Sequence, residues 1–125
     1  MNNPFAIARA AYAAYVEKDR AALEKLIAPE FHFTSPLDNN IDRATYFERC
    51  WPNSEWISAF DFIRLARDGD VVMVTYEART TRGTKFRNTE ALTIRDAQIM
   101  NVEVYFGWSL PHEAPAGGYV NKAGS

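Results

Sequence analysis

The sequence predicts an α+β domain of three N-terminal helices and an antiparallel sheet, which, strongly curved around the helices, would enclose a cone-shaped cavity. Three observations predict it. Apolar residues recur at helical spacing between Pro4 and Ile27, and again before Pro52. From Ile57 to Phe106 the period changes to two, in four long runs separated by short turn signals. Helices grouped first and antiparallel strands later make up the α+β arrangement, and a chain of 125 residues suits one domain.

Each element has its own signal. Asn3 can cap and Pro4 suits a first turn, so the stripe Phe5, Ala8, Tyr12, Tyr15 and Val16 reads as a helix ending near Lys18. Asp19 reads as a second cap, and Ala22, Leu23, Leu26 and Ile27 follow as a stripe that ends before Pro29. Phe31 to Ser35 alternates and stops at Pro36 as a short strand. Leu37 to Ile41 reads as a polar turn. Asp42 caps a third helix with Tyr46, Phe47, Cys50 and Trp51 on its apolar face, closed by Pro52. Strands follow over 57–66, 71–80, 86–95 and 99–106, with turns at Asp68-Gly69-Asp70, Arg82-Gly83 and Asp96-Ala97. After Gly107 the composition shifts to Pro, Gly and Ala. The domain is therefore expected over residues 1–107, with an irregular arm over 108–125.

Composition excludes several classes. At 47% hydrophobic and 24% charged the chain is neither disordered nor collagen-like. A net charge of −2 argues against a nucleic-acid partner, which needs a concentrated basic surface. No apolar run reaches the ~18 residues of a membrane span. A single cysteine, Cys50, makes neither an internal disulfide nor a Cys-rich zinc site, and His32 and His112 show no ligand spacing; no metal or cofactor is expected. The segment Met1 to Phe5 lacks the basic residues and apolar core of a signal peptide, and with the lone thiol it points to the cytoplasm.

Alternation assigns the faces. Over 86–94, one face carries Phe86, Asn88, Glu90, Leu92 and Ile94, and the other Lys85, Arg87, Thr89, Ala91 and Thr93. The first must face the helices, and it takes Asn88 and Glu90 inside. With Arg82-Gly83 as a two-residue turn, Glu77 lies opposite Asn88 and joins the inner wall with Met73, Thr75 and Arg79; a turn one residue longer reverses this. The same reading puts Val72, Val74 and Tyr76 outside. An apolar outer stripe wants cover, either from the C-terminal arm or from a second copy packed sheet to sheet, and a homodimer through this face is the expectation.

Four segments carry a family likeness. They are Phe31-His32-Phe33-Thr34-Ser35-Pro36-Leu37, Ile41-Asp42-Arg43, Phe86-Arg87-Asn88-Thr89-Glu90, and Ile99 through Val102-Glu103-Val104-Tyr105-Phe106. On these the sequence resembles the nuclear transport factor 2-like superfamily, and most of all its SnoaL-like, ketosteroid-isomerase-like branch. The resemblance runs from about Pro4 to Phe106. It implies the cone fold, which hosts isomerases, dehydratases, cyclases, epoxide hydrolases and non-catalytic binding domains. The general-base aspartate of ketosteroid isomerases aligns with Ser35, which is no base at neutral pH. Their oxyanion-hole tyrosine aligns with Ala11, so that Tyr12 and Tyr15 nearby point elsewhere. Their protonated aspartate aligns with Glu90. Val102, Val104 and Phe106 fall at apolar wall positions. Steroid isomerisation itself is thus disfavoured.

Glu90 is the candidate catalytic residue, because a buried carboxyl held neutral can donate a hydrogen bond or a proton. The bland alternative is a structural pair with Arg79 or an aromatic hydroxyl. Asn88 and Glu77 are candidate orienting groups, and two carboxyls in one site would titrate as a pair. Tyr15, Phe33, Ser35 and Trp51 are candidate pocket residues. His32 alternates with Ser35 and so faces away; Cys50 reads as a small buried hydrophobe. Two functional classes compete: a cofactor-free acid–base enzyme acting on a small apolar or polycyclic compound, and a binding or interaction domain without turnover.

Overall fold

The computed structural model describes residues 3–117. The elements run α1 (Pro4–Glu17), α2 (Arg20–Leu26), β1 (Ile27–Ser35), β2 (Asp38–Asp42), α3 (Arg43–Arg49), a 3₁₀ helix (Trp51–Trp56), β3 (Ile57–Asp68), β4 (Val71–Thr80), β5 (Lys85–Arg95) and β6 (Gln98–Leu110). Each α-helix starts on a side-chain cap. Asn3 accepts from the Phe5 amide at 2.7 Å, Asp19 from that of Ala22 at 3.1 Å, and Asp42 from that of Thr45 at 2.9 Å. Helix α1 ends at Lys18, which takes the left-handed conformation (φ 58°).

The six strands form one sheet in the order β2-β1-β6-β5-β4-β3. Three features depart from the sequence reading. Residues 38–41, read as part of a turn, form a strand with the cap residue Asp42 and pair with β1. Strand β1 itself begins at Ile27 and lies parallel to β6, so the sheet is mixed rather than purely antiparallel. Strand β6 also continues to Leu110, so the irregular arm starts later than residue 108; the part of it beyond residue 117 lies outside the described residues.

The β4–β5 hairpin corrects a whole face. Thr80 stands opposite Thr84, with their hydroxyls 2.7 Å apart, and the Gly83 amide donates to the Thr80 carbonyl at 3.0 Å. The loop is therefore Thr81-Arg82-Gly83, one residue longer than read, with Gly83 at φ 85° in the position where a three-residue hairpin needs a left-handed residue. One added residue inverts the strand. Val72, Val74, Tyr76 and Ala78 point into the core, while Glu77 pairs with Arg87 on the outer face. Arg79 reaches Asp61 instead of Glu90.

The apolar stripe behind the dimer expectation is thus the inner face of the sheet. The outer face of β4 and β5 carries Thr75, hydrogen-bonded to Thr89, and the Glu77–Arg87 pair. A Val74→Lys variant, which would break an outer-face dimer, is instead expected to force a longer, charged side chain into the packed core, since Val74 is 0% exposed and stands opposite Glu90. The expected cost is roughly 1–3 kcal/mol, the scale of overpacking. A thermal melt checks it; an unchanged melting temperature would contradict this register.

The core fills the concave side of the sheet, between its inner face and the three helices, around Phe31, Val72, Val74 and Ile99. Aromatic rings meet edge to face there, as Tyr12 does on Phe60 (4.9 Å between centroids) and Phe31 on Tyr46 (5.1 Å). Where sheet and helices splay apart, the interior is left open as a cavity.

Candidate functional site

The cavity measures about 220 Å³ and lies between α1, α3 and the inner faces of β1, β5 and β6. Its walls are mostly apolar, with Leu23, Ile27, Phe31, Leu92 and Ile99 at one side and Phe60 and Phe86 at another. Polar groups enter at two places.

The first is Glu90. Its Oε1 accepts from the Tyr12 hydroxyl at 2.9 Å and its Oε2 from the Tyr76 hydroxyl at 2.6 Å. Among the described residues no cation forms a salt bridge with it. Burial raises the Glu90 pKa above the ordinary carboxyl value, and the two tyrosine hydrogen bonds oppose that shift without cancelling it. Burial, with the nearby Glu90 charge as the next cause, also pushes the Tyr12 and Tyr76 hydroxyls upward, so both stay protonated at neutral pH. A neutral Glu90 can donate to one tyrosine oxygen, and that tyrosine then has a free hydrogen. Tyr12 lines the cavity, so its hydrogen is the one a ligand can meet.

Behind this group stands Asn88. Its amide nitrogen donates to the Tyr76 hydroxyl at 3.4 Å, and its oxygen accepts from the Gly107 amide at 3.2 Å. It is inside the sheet as predicted but does not line the cavity. It supports Tyr76 instead of facing a ligand.

The second polar group is at the mouth. Strands β1 and β2 are joined by Pro36-Leu37, with Ser35 directly opposite Asp38. Asp38 lines the cavity beside Ser35 and Asn53, and it forms an ion pair with Arg49 at 2.7 Å. Leu37 and Phe106, 75% and 52% exposed, make an apolar rim. Among the described residues no group of three or more His, Cys, Asp or Glu side chains converges to hold a metal.

Of the predicted pocket residues, Tyr15, Phe33, Ser35, Val102, Val104 and Phe106 line the cavity with Glu90. Tyr15 donates to the Cys50 carbonyl at 2.8 Å, and burial raises its hydroxyl as well. Three predictions are corrected. Glu77 is on the outer face, because of the longer hairpin loop. Asn88 sits behind Tyr76. Trp51 packs edge-on against Tyr15 at 5.2 Å and contributes no surface to the cavity. His32 does not line the cavity, as its alternation implied. Cys50 is buried and does line it; burial pushes its thiol up to about 11.

Three side chains of this polar arrangement escape the sequence reading. Tyr12 belongs to the inward stripe of α1 by periodicity; the alignment that put Ala11 at the tyrosine position turned it away. Tyr76 follows from the hairpin register. Asp38 had a local signal, since Ser-Pro-Leu-Asp fits a two-residue hairpin turn with proline at its first corner, which sets Asp38 beside Ser35.

A helix-filled cone of six strands, with a polar group buried at the back of an apolar pocket, defines the nuclear transport factor 2-like fold. The chain belongs to the SnoaL-like domain family, whose model matches residues 8–102. It is similar to a nuclear transport factor 2-like protein from Cytophaga hutchinsonii (15% identity over 86% of this chain and 92% of that one, TM-score 0.71). It is similar also to IdmH, a candidate polyketide cyclase from Streptomyces antibioticus (20% identity, 82% and 91%, TM-score 0.67). A de novo designed protein with a curved β-sheet matches as well in shape (12% identity, 86% and 88%, TM-score 0.73), so these likenesses speak for the fold and not for a reaction. Comparison with curated proteins gives no match. Among the described residues no helix is long and apolar enough to cross a membrane.

Proposed function

We propose that this protein binds a small, mainly apolar ring compound and holds one of its oxygens, a carbonyl or hydroxyl, against the Glu90–Tyr12 pair. The observation that carries the reading is a carboxyl with raised pKa, bound by two tyrosine hydroxyls, at an otherwise apolar cavity wall. Such a group stabilises negative charge developing on a carbonyl oxygen and can hand over a proton, the acid half of cofactor-free acid–base chemistry. Membership of the SnoaL-like family and the likeness to a candidate polyketide cyclase support a small-molecule ligand.

Volume narrows the class. A dry cavity of about 150 Å³ accepts benzene, so the 220 Å³ here suits one or two fused rings better than a larger polycycle. The apolar rim at Leu37 and Phe106 allows a substituent to project past the mouth.

The test is calorimetric titration with 1-tetralone, a two-ring ketone, over a range of pH. Wild-type affinity is expected to fall as pH rises through the raised pKa of Glu90, because the ionised carboxylate no longer supplies a proton. Glu90→Gln keeps a neutral donor, so it is expected to bind without that pH dependence. Glu90→Leu has no proton to lose and leaves the Tyr12 hydroxyl without its carboxylate acceptor, so it is also expected to bind without that pH dependence. Equal affinity in all three proteins would defeat the reading.

A further inference from the structure

Resting on that reading, we propose that Asp38, with Ser35, is a second polar anchor at the cavity mouth that recognises a neutral hydrogen-bond donor, a hydroxyl or an N–H, on the far end of the same ligand. The ligand class is then a one- or two-ring compound with an acceptor oxygen at one end and a donor at the other.

The argument starts from the state of the Asp38 side chain. It is 10% exposed, and it lines the cavity. Its two oxygens differ. Oδ1 is sealed from solvent, makes no aligned hydrogen bond, and faces Arg49 as an ion pair at 2.7 Å. Oδ2 has only weak partners: the Ser35 hydroxyl at 3.3 Å and the Cys50 thiol at 4.0 Å. A carboxylate offers about four acceptor sites and no donor. Buried carboxylates are ordinarily saturated with hydrogen bonds, and this one is not. The Ser35 oxygen already accepts from the Leu37 amide at 3.1 Å, which holds the turn and points the serine at Asp38.

Charge decides what kind of donor fits. Arg49 already balances the Asp38 charge, so a ligand ammonium would leave a net positive cluster at the mouth. A neutral hydroxyl or N–H supplies the missing hydrogen bond with no added charge. The placement also separates the two anchors. Glu90 hangs from β5 at the sheet's inner face and Asp38 from the tip of the β1–β2 hairpin; strands β6 and β1 lie between them, with Val104 opposite Glu90 and Ser35 opposite Asp38. A ring system laid across those strands presents one end to each anchor.

The experiment compares three probes by calorimetry at neutral pH: 1-tetralone, 6-hydroxy-1-tetralone and 6-methoxy-1-tetralone. In wild-type protein the hydroxy compound is expected to bind five- to tenfold more tightly than the parent. The methoxy compound, which has size and an acceptor but no donor, is expected to show no such gain. In Asp38→Ala the hydroxy and parent compounds are expected to bind alike. Equal binding of the hydroxy and parent ketones by wild-type protein overturns the proposal, and that result needs no variant to fold. A hydroxyl preference that survives in Asp38→Ala also overturns it. Absence of binding by all three probes instead defeats the ketone-binding reading of Glu90, and this proposal with it.

Discussion

Raising the pH above the ordinary carboxyl range is expected to lower the thermal stability of the wild-type protein, and Glu90→Gln is expected to abolish that decline. Burial raises the folded-state pKa of Glu90. Between the unfolded value, about 4.3, and the raised folded value, the folded protein keeps a proton that the unfolded chain has lost. Stability is complete below the unfolded pKa and falls as pH climbs through the folded one, by about 1.4 kcal/mol per pH unit inside that window. For a domain of this size that is roughly 5 °C of melting temperature per unit. Asp42 and Asp70 act with the opposite sign. Their pKa values are lowered, by hydrogen bonds from Thr45 and Arg95, so their contributions are lost only on acidification. The difference between wild type and Glu90→Gln therefore isolates Glu90. Melting curves at half-unit steps from pH 4 to pH 9 measure it, and parallel profiles for the two proteins would contradict it.

Gly107→Ala is expected to cost about 3 kcal/mol, at the upper end of overpacking penalties, and to lower the melting temperature by about 10 °C. A Cβ at Gly107 would stand 2.2 Å from the carbonyl oxygen of Arg87. That neighbour is backbone, so no side chain can swing aside. The close approach arises because the β5–β6 register slips between Phe86 and Asn88, where Gly107 and Trp108 together face Arg87. Relieving the clash would move the Gly107 amide away from Asn88, and Asn88 supports the Tyr76 hydroxyl on Glu90. Weakened ketone binding should therefore accompany the lost stability. A melting temperature within 2 °C of wild type would show that the strands part more easily than this packing implies.

Glu90 and Glu77 show how far alternation carries. Both sit in strands whose period-2 pattern is plain. In β5 the choice of inner face is settled within the strand, because Phe86, Leu92 and Ile94 share it with Glu90 and the opposite face is cationic. In β4 the same pattern is present, with Val72, Val74, Tyr76 and Ala78 on one face and Thr75, Glu77 and Arg79 on the other, and the two-residue reading of the hairpin loop overrode it. A two-residue loop and a three-residue loop use the same Thr-Arg-Gly-Thr letters. The difference moves two valines and a tyrosine into the core and a glutamate out of the pocket.

The site residues divide along the same line. Glu90, Phe33, Ser35, Val102, Val104 and Phe106 were legible because each lies in a strand whose inward face is declared by its own neighbours, or matches a wall position in a related pattern. Tyr12 was legible from helix periodicity and obscured by alignment one residue away. Trp51 was misplaced because a residue after the third helix can turn either into a cavity or against its rim. Packing on Tyr15 settled which.

The sequence determines what is local: the caps at Asn3, Asp19 and Asp42, the order of the three α-helices and of five of the six strands, and the inward direction of Glu90. These follow from interactions between residues close along the chain, which composition and spacing encode directly. The company Glu90 keeps is settled by tertiary packing. Tyr12 from the first helix and Tyr76 from the neighbouring strand meet its two oxygens, and the β1–β2 hairpin brings Asp38 to the same cavity. Those contacts join residues up to 78 positions apart, and they depend on the strand registers and on how the sheet curves around the helices. A single residue in one loop changes that register and turns every side chain of the strand over.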